Sequence, residues 1–127
     1  MSFAPGDIVS ALASVTGYRK YFLSLGVNDA GVDCLLYLNS EGGFDGNLEF
    51  DCGRFPMIPP SDTGRTVLSL TGLARLNERQ AKLFKAERLG EIDADLAREM
   101  LNHATTVKTL SRAEKAFVLE RLALLVP

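Results

Sequence analysis

The sequence predicts a single α+β domain over residues 1–127, in which a small antiparallel sheet of about three to four strands packs against three C-terminal helices. Two patterns carry this prediction. Segments with alternating, β-branched or aromatic residues are concentrated between residues 18 and 71. Helical periodicity and helix-capping residues follow between residues 73 and 126. The chain is 46% hydrophobic, which is enough for one globular core.

The N-terminal segment predicts a short helix in front of the sheet. Asp7 follows Pro5-Gly6 and is a suitable N-cap, because its carboxylate can accept a hydrogen bond from a free backbone N–H. Gly17 is a natural helix end. Between Asp7 and Gly17 the apolar side chains recur at helical spacing, at Ile8, Ala11, Leu12 and Val15.

Residues 32–55 give the clearest β signal and predict an antiparallel hairpin. A glycine-rich loop separates two apolar runs, and the second run alternates apolar with acidic residues. The register that keeps the apolar faces together pairs Leu38 with Leu48. The same register makes Cys34 and Cys52 cross-strand neighbours, and we expect both thiols to be reduced.

Three further segments surround this hairpin. Residues 18–25 are rich in aromatic side chains and fit either a strand or a short helix. Residues 66–70 are apolar and partly β-branched, which predicts a strand that ends before Gly72. Residues 55–60 contain three prolines and therefore predict an extended loop, because proline cannot donate to a central sheet ladder.

Helix signals dominate the remainder of the chain. The first C-terminal helix is predicted to begin at Leu73 or at Asn77, where Asn77 and Gln80 resemble a capping box. Gly90 is its expected end. Asp93 is the expected N-cap of the second helix, whose apolar residues recur in one stripe.

The third helix, residues 111–126, predicts a protein–protein contact. Its second half is apolar nearly all round, so the rest of the chain or another chain must cover more than one side. We therefore predict a homodimer through this helix. We expect no membrane contact, because a spanning helix needs about 20 apolar residues. The predicted contact residues on this helix are Phe117, Leu122, Leu124 and Leu125.

No residue pattern in the chain predicts catalysis, a cofactor or a bound metal. Two cysteines and one histidine fall short of the roughly four ligands of a structural zinc site. Two cysteines are also too few for a secreted disulfide scaffold, which favours a reducing, cytoplasmic environment. We therefore predict a small non-catalytic interaction or assembly protein, such as an adaptor, a chaperone, an inhibitor or a phage accessory factor.

Two other functions stay open from the sequence. Arg75, Arg79, Lys82 and Lys85 would share one side of the first predicted helix, a basic face over residues 75–85 that could contact nucleic-acid phosphates. Cys34 or Cys52 could be the nucleophile of a small enzyme, which would require exposure and a lowered thiol pKa. A solvated helix face and core packing are the commoner roles of such residues.

Charge is unevenly distributed along the chain. Residues 1–63 contain three basic and eight acidic residues, a charge of −5, and residues 64–127 contain eleven basic and eight acidic residues, a charge of +3. The two values sum to the net charge of −2. We expect the two halves to attract each other within one fold.

Overall fold

The computed structural model describes residues 2–14, 17–42 and 45–127. Within these ranges seven strands form one sheet, and three helices accompany it. In chain order the elements are β1 (Asp7–Leu12), β2 (Arg19–Val27), β3 (Asp33–Asn39), β4 (Leu48–Asp51), β5 (Arg65–Leu68), β6 (Ala74–Leu76), α1 (Glu78–Leu83), β7 (Glu87–Glu91), α2 (Ala94–Ala104) and α3 (Arg112–Ala123).

The sheet is larger than the sequence predicted. Its strands follow the order β4-β5-β3-β2-β1-β7, and every pairing is antiparallel. Strands β5 and β6 pair with the same edge of β3. Strand β6 pairs with the first half of β3, and β5 pairs with the end of β3. The prediction of a small sheet with three to four strands is therefore wrong. The helical C-terminal region and strand β5 agree with the sequence prediction, and of the two alternatives left open for residues 18–25 the structure has the strand, β2.

The predicted N-terminal helix is wrong, because residues Asp7–Leu12 form strand β1. This strand lies between β2 and β7, and both of its faces are covered. Ile8 belongs to the core on one face and Val9 to the core on the other. A strand that is buried on both sides shows no alternation, so its apolar spacing can imitate a helix. Val15, the last residue of the predicted stripe, lies outside the described residues.

The predicted hairpin over residues 32–55 is also wrong, because β5 lies between its two strands. Leu68 pairs with Leu38 on one side and with Leu48 on the other. Strands β3 and β4 are each antiparallel to β5, so they run parallel to each other. Gly43-Phe44, within the predicted loop, lies outside the described residues.

The parallel course of β3 and β4 separates the two cysteines. Cys34 precedes Leu38 by four residues, whereas Cys52 follows Leu48 by four residues. The cysteines therefore lie about eight residues apart along the strand direction, or roughly 26 Å. The predicted cross-strand contact between Cys34 and Cys52 does not exist.

The main core lies between one face of the sheet and the helices α2 and α3. The predicted stripe of α2 is confirmed, since Leu96, Ala97, Met100 and Ala104 are all buried. From α3, Val118 and Leu122 enter the same core. The sheet contributes the buried residues Ile8, Leu23, Leu25, Leu36, Leu38, Phe50 and Leu68, and the segment after β5 contributes Leu70.

The opposite face of the sheet carries a smaller second core. Its buried members are Phe3, Val9, Ala11, Phe22 and Leu35. The N-terminal segment and the segment from β6 to β7 cover this face, the latter with Leu76, Phe84 and Ala86 among its half-buried residues. The sheet therefore has apolar partners on both sides.

The first predicted C-terminal helix is much shorter than expected. The capping box of Asn77 and Gln80 is confirmed, but α1 has only six residues. Lys85 then adopts a left-handed conformation, with φ of 50°, and the chain continues as strand β7. Gly90, the predicted helix end, lies within that strand beside β1.

The proline-rich loop after β4 crosses the main-core side of the sheet. Strands β4 and β7 are the opposite edges of the sheet. Phe55 is fully buried, and Met57 and Ile58 pack against the main core. The Met57 side chain lies against Gly90 of β7. The loop therefore connects the two edges, and an open cleft is left at one end of the sheet.

Candidate contact surfaces and an end cleft

Helix α3 begins at the predicted N-cap. The Ser111 hydroxyl accepts a hydrogen bond from the Glu114 N–H at 3.2 Å and donates one to Glu114 Oε1 at 3.1 Å. Glu114 Oε2 accepts from the Leu73 N–H at 3.3 Å. Glu114 therefore joins the start of α3 to the chain segment before β6.

The four predicted contact residues of α3 have different environments. Leu122 is fully buried in the main core, so the folded chain does not present it to a partner. Phe117 and Leu125 are half-buried, and the Arg121 guanidinium lies over the Phe117 ring at 4.7 Å. Leu124 is 68% exposed. Of the four residues, Leu124 is the one that an incoming chain would meet first.

The outward side of α3 is small and mostly apolar. We call the exposed residues Arg112, Ala113, Ala116, Glu120, Ala123 and Leu124 the outer α3 face. The apolar excess that the sequence shows is largely taken up by the fold, because one side of α3 enters the core and its flanks are half-buried. The outer α3 face is the part that remains uncovered.

The predicted basic surface is divided between two sides of the sheet. Arg75 lies in β6 opposite Cys34, and its guanidinium is 4.0 Å from Glu114 of α3. Arg79 and Lys82 lie on α1, over the second core, and Lys82 is 3.6 Å from Glu78. The three side chains therefore do not form the single helix face that phosphate contact was predicted to use.

Ion pairs between the two halves of the sequence occur in both charge combinations. Some pairs join an acid of the first half to a base of the second half, and others join a base of the first half to an acid of the second half. The first kind includes Arg65–Glu49 and Arg88–Asp7, each at 3.0 Å, and the second includes Arg19–Glu87 and Arg54–Glu99.

The two cysteines and the histidine lie apart in the fold. Cys34 is 2% exposed, and its thiol lies 3.7 Å from the Val32 carbonyl. Burial raises the pKa of the Cys34 thiol, against the opposing effect of the positive charges of Arg75 and Arg121. This favours the neutral thiol over the nucleophilic thiolate.

The candidate ligands for a metal are also dispersed. His103 Nε2 is 3.0 Å from the Gly46 carbonyl oxygen, and Cys52 begins a 3₁₀ turn after β4. In the described part of the chain, no three His, Cys, Asp or Glu side chains are grouped so that they could hold a metal ion.

A cleft of about 660 Å³ lies at the end of the sheet where β2 and β5 begin and β3 ends. We call it the end cleft. Residues 58–63 form one wall, and Arg19, Tyr21 and Thr66 line the strand side. Sequence reasoning missed this cleft, because its residues come from four separate segments of the chain. The proline-rich loop over residues 55–60 was the one local signal of it.

The chain matches no protein-family model, no curated protein and no solved structure. None of the helices in the described residues combines the length and apolarity that a bilayer crossing requires. Function must therefore be argued from the surfaces of the fold.

Proposed function

We propose that this chain is a small non-catalytic interaction or assembly protein of the cytoplasm, and that it forms a homodimer through the outer α3 face. The observation that carries the proposal is the exposure of Leu124, 68%, at the end of a helix whose outward side is otherwise mostly alanine. The free energy falls when another surface covers a large apolar side chain in such a position.

The alanines favour a second helix as the covering surface. Small side chains at a helix–helix contact allow the two axes to approach closely, so Ala113, Ala116 and Ala123 suit a second copy of α3. In a two-fold dimer the same patch serves both chains.

The size of the surface sets the expected affinity. Helix α3 has 12 residues and is therefore about 18 Å long. A contact between two such helices lies at the low end of specific interfaces, where association is weak and transient. We expect a dissociation constant on the order of micromolar.

Substitution of Leu124 by glutamate tests this contact. Leu124→Glu would place a charge in the proposed interface, and we expect at least about tenfold weaker association, a loss of about 1.4 kcal/mol. The helical circular-dichroism signal should remain, because Leu124 is exposed in the single chain.

The matched control is Leu83→Glu. Leu83 is 53% exposed but lies at the end of α1, outside the proposed contact. Leu83→Glu should dimerise as the wild type does. If Leu124→Glu also associates as the wild type does, the outer α3 face is not the interface. If it unfolds the chain, Leu124 belongs to the core and the proposal fails.

A further inference from the structure

We propose that the end cleft binds a small organic acid, with its carboxylate beside Arg19, Tyr21 and Thr66 and its apolar body against Ile58 and Pro59. The cleft volume of about 660 Å³ lies within the range of small-molecule sites. The chemistry of the lining residues indicates the class of ligand.

Arg19 supplies a fixed positive charge at the cleft. Its Nε donates to the Ser10 hydroxyl at 2.9 Å, and its Nη2 donates to the Lys85 carbonyl at 2.7 Å. The Arg19 side chain is only 31% exposed, so water screens its charge less than that of a surface arginine. The remaining nitrogen, Nη1, has no hydrogen-bond partner among the described residues. A guanidinium held in this way is suited to a carboxylate.

Two hydroxyls at the cleft lack protein partners. Thr66 is 5% exposed, and its hydroxyl forms no hydrogen bond within the described part of the chain. The phenol hydroxyl of the half-buried Tyr21 likewise forms no hydrogen bond within the described residues. Tyr21 pairs with Leu38, and Leu38 pairs with Leu68, two residues after Thr66. The two side chains therefore face the same side of the sheet, and both line the end cleft.

The apolar part of the cleft suits a hydrocarbon body. Leu38, Ile58, Pro59 and Pro60 line it. Leu38 and Ile58 also belong to or pack against the main core, so this wall is held by the fold. An acid with a short alkyl chain would therefore meet donors at one end and an apolar surface along its length.

The other charges of the cleft do not reverse this preference. The lining also contains two bases, Lys20 and Arg65, and two acids, Glu41 and Asp62. Both acids are exposed. Glu87 is the acid closest to Arg19, at 3.4 Å, and its side chain is 60% exposed. Water screens these exposed carboxylates, whereas Arg19 is partly buried. An anion is therefore favoured over an amine.

Nuclear magnetic resonance titration of the whole chain with octanoate, octanamide and octylamine tests the proposal. The three probes share one alkyl chain and differ in the charge of the head group. We expect octanoate to shift the amide signals of residues 19–21, 58 and 61–66 and to bind at least about tenfold more tightly than the other two probes. Equal binding of the three probes, tighter binding of octylamine, absence of binding, or shifts confined to other residues would overturn the proposal.

Variants that remove the hydroxyls but keep the side-chain shape provide the second measurement. Tyr21→Phe and Thr66→Val should each weaken octanoate binding about threefold to tenfold, as the loss of one hydrogen bond does. Tyr37→Phe is the matched control, because the Tyr37 ring packs against the second core on the opposite face. If the first two variants are folded and bind octanoate as the wild type does, the carboxylate does not lie where we place it.

Discussion

Leu38 and Leu48 lie on one line across the sheet, although their strands do not pair, because Leu68 forms the pair with each of them. Only the alignment of Leu38 with Leu48 agrees with the predicted register, because the two strands do not pair and do not run antiparallel. A third strand from later in the chain separates β3 from β4 and makes them parallel. This relationship places Cys34 and Cys52 at opposite ends of their strands.

The first prediction concerns the thiols. Mild oxidation should not produce a Cys34–Cys52 disulfide within one chain, because a disulfide needs Cα atoms within about 7 Å. Alkylation of the folded protein should modify the partly exposed Cys52 first and the buried Cys34 only after unfolding. Mass spectrometry distinguishes these products. A rapid intramolecular disulfide would contradict the sheet order.

The second prediction concerns Asp33, whose carboxylate Oδ1 accepts a hydrogen bond from the Phe3 N–H at 2.9 Å. Burial raises the pKa of Asp33, while the Phe3 hydrogen bond and the positive N-terminus oppose the shift. Between the ordinary and the raised pKa, the folded state holds a proton that the unfolded state has lost. The stability contributed by this group therefore falls as pH rises through that window.

Asparagine at this position keeps an acceptor for Phe3 but cannot ionise. The stability of Asp33→Asn relative to the wild type should therefore increase as pH rises from about 3.8, the ordinary pKa of the group, and then become constant. Denaturant unfolding at several pH values measures the difference. Asp29→Asn, which changes an exposed loop carboxylate, controls for the loss of one negative charge. A difference that shrinks with rising pH would contradict the assignment.

The third prediction concerns Lys85, which has φ of 50° at the end of α1. A left-handed backbone costs a residue with a Cβ about 1 to 2 kcal/mol, and glycine avoids this cost. Glycine also has more backbone entropy in the unfolded state, which offsets part of this gain. Lys85→Gly should therefore raise the free energy of unfolding by up to about 1 kcal/mol. Lys85→Ala keeps the Cβ and should have little effect. Equal stability of the two variants would mean that the backbone is not strained there.

The fourth prediction separates the two sides of α3. Leu122 is fully buried, so Leu122→Ala should cost about 2 to 5 kcal/mol of stability. Leu124 is exposed, so Leu124→Ala should change the stability of the single chain by about 0.5 kcal/mol or less. Denaturant unfolding at a concentration below that of dimer formation measures both. Similar costs for the two variants would contradict the orientation of the helix.

Local chemistry predicted the starts of the three helices that form, although it also predicted a helix start at Asp7, where strand β1 begins. Asn77, Asp93 and Ser111 each cap a helix, because each side chain accepts a backbone N–H only three residues ahead. This depends on neighbouring residues alone, so the sequence contains the whole signal. The lengths of the helices were less predictable, since Leu83 is 53% exposed and the apolar pattern before β7 does not mark a buried helix face.

Sheet pairing was not predictable in the same way. Strand β5 pairs with strands that begin 17 to 32 residues earlier in the chain, at Leu48 and Asp33, and no local residue indicates this choice. The contact surfaces had the same difficulty. The sequence named Leu122 and Leu124 alike as contact residues, and they differ in the fold because the core covers Leu122 and leaves Leu124 exposed. The end cleft depends on strands that are distant in the chain.

Sedimentation equilibrium of the wild-type chain at concentrations from about 1 to 100 μM tests the proposed homodimer most directly. These concentrations cover the micromolar dissociation constant that the small outer α3 face implies. The proposal predicts a mass that rises with concentration from 13.8 kDa, the mass of one chain, towards twice that value. A mass that stays at 13.8 kDa over the whole range would show that α3 serves the fold of a single chain alone, and would contradict the proposal.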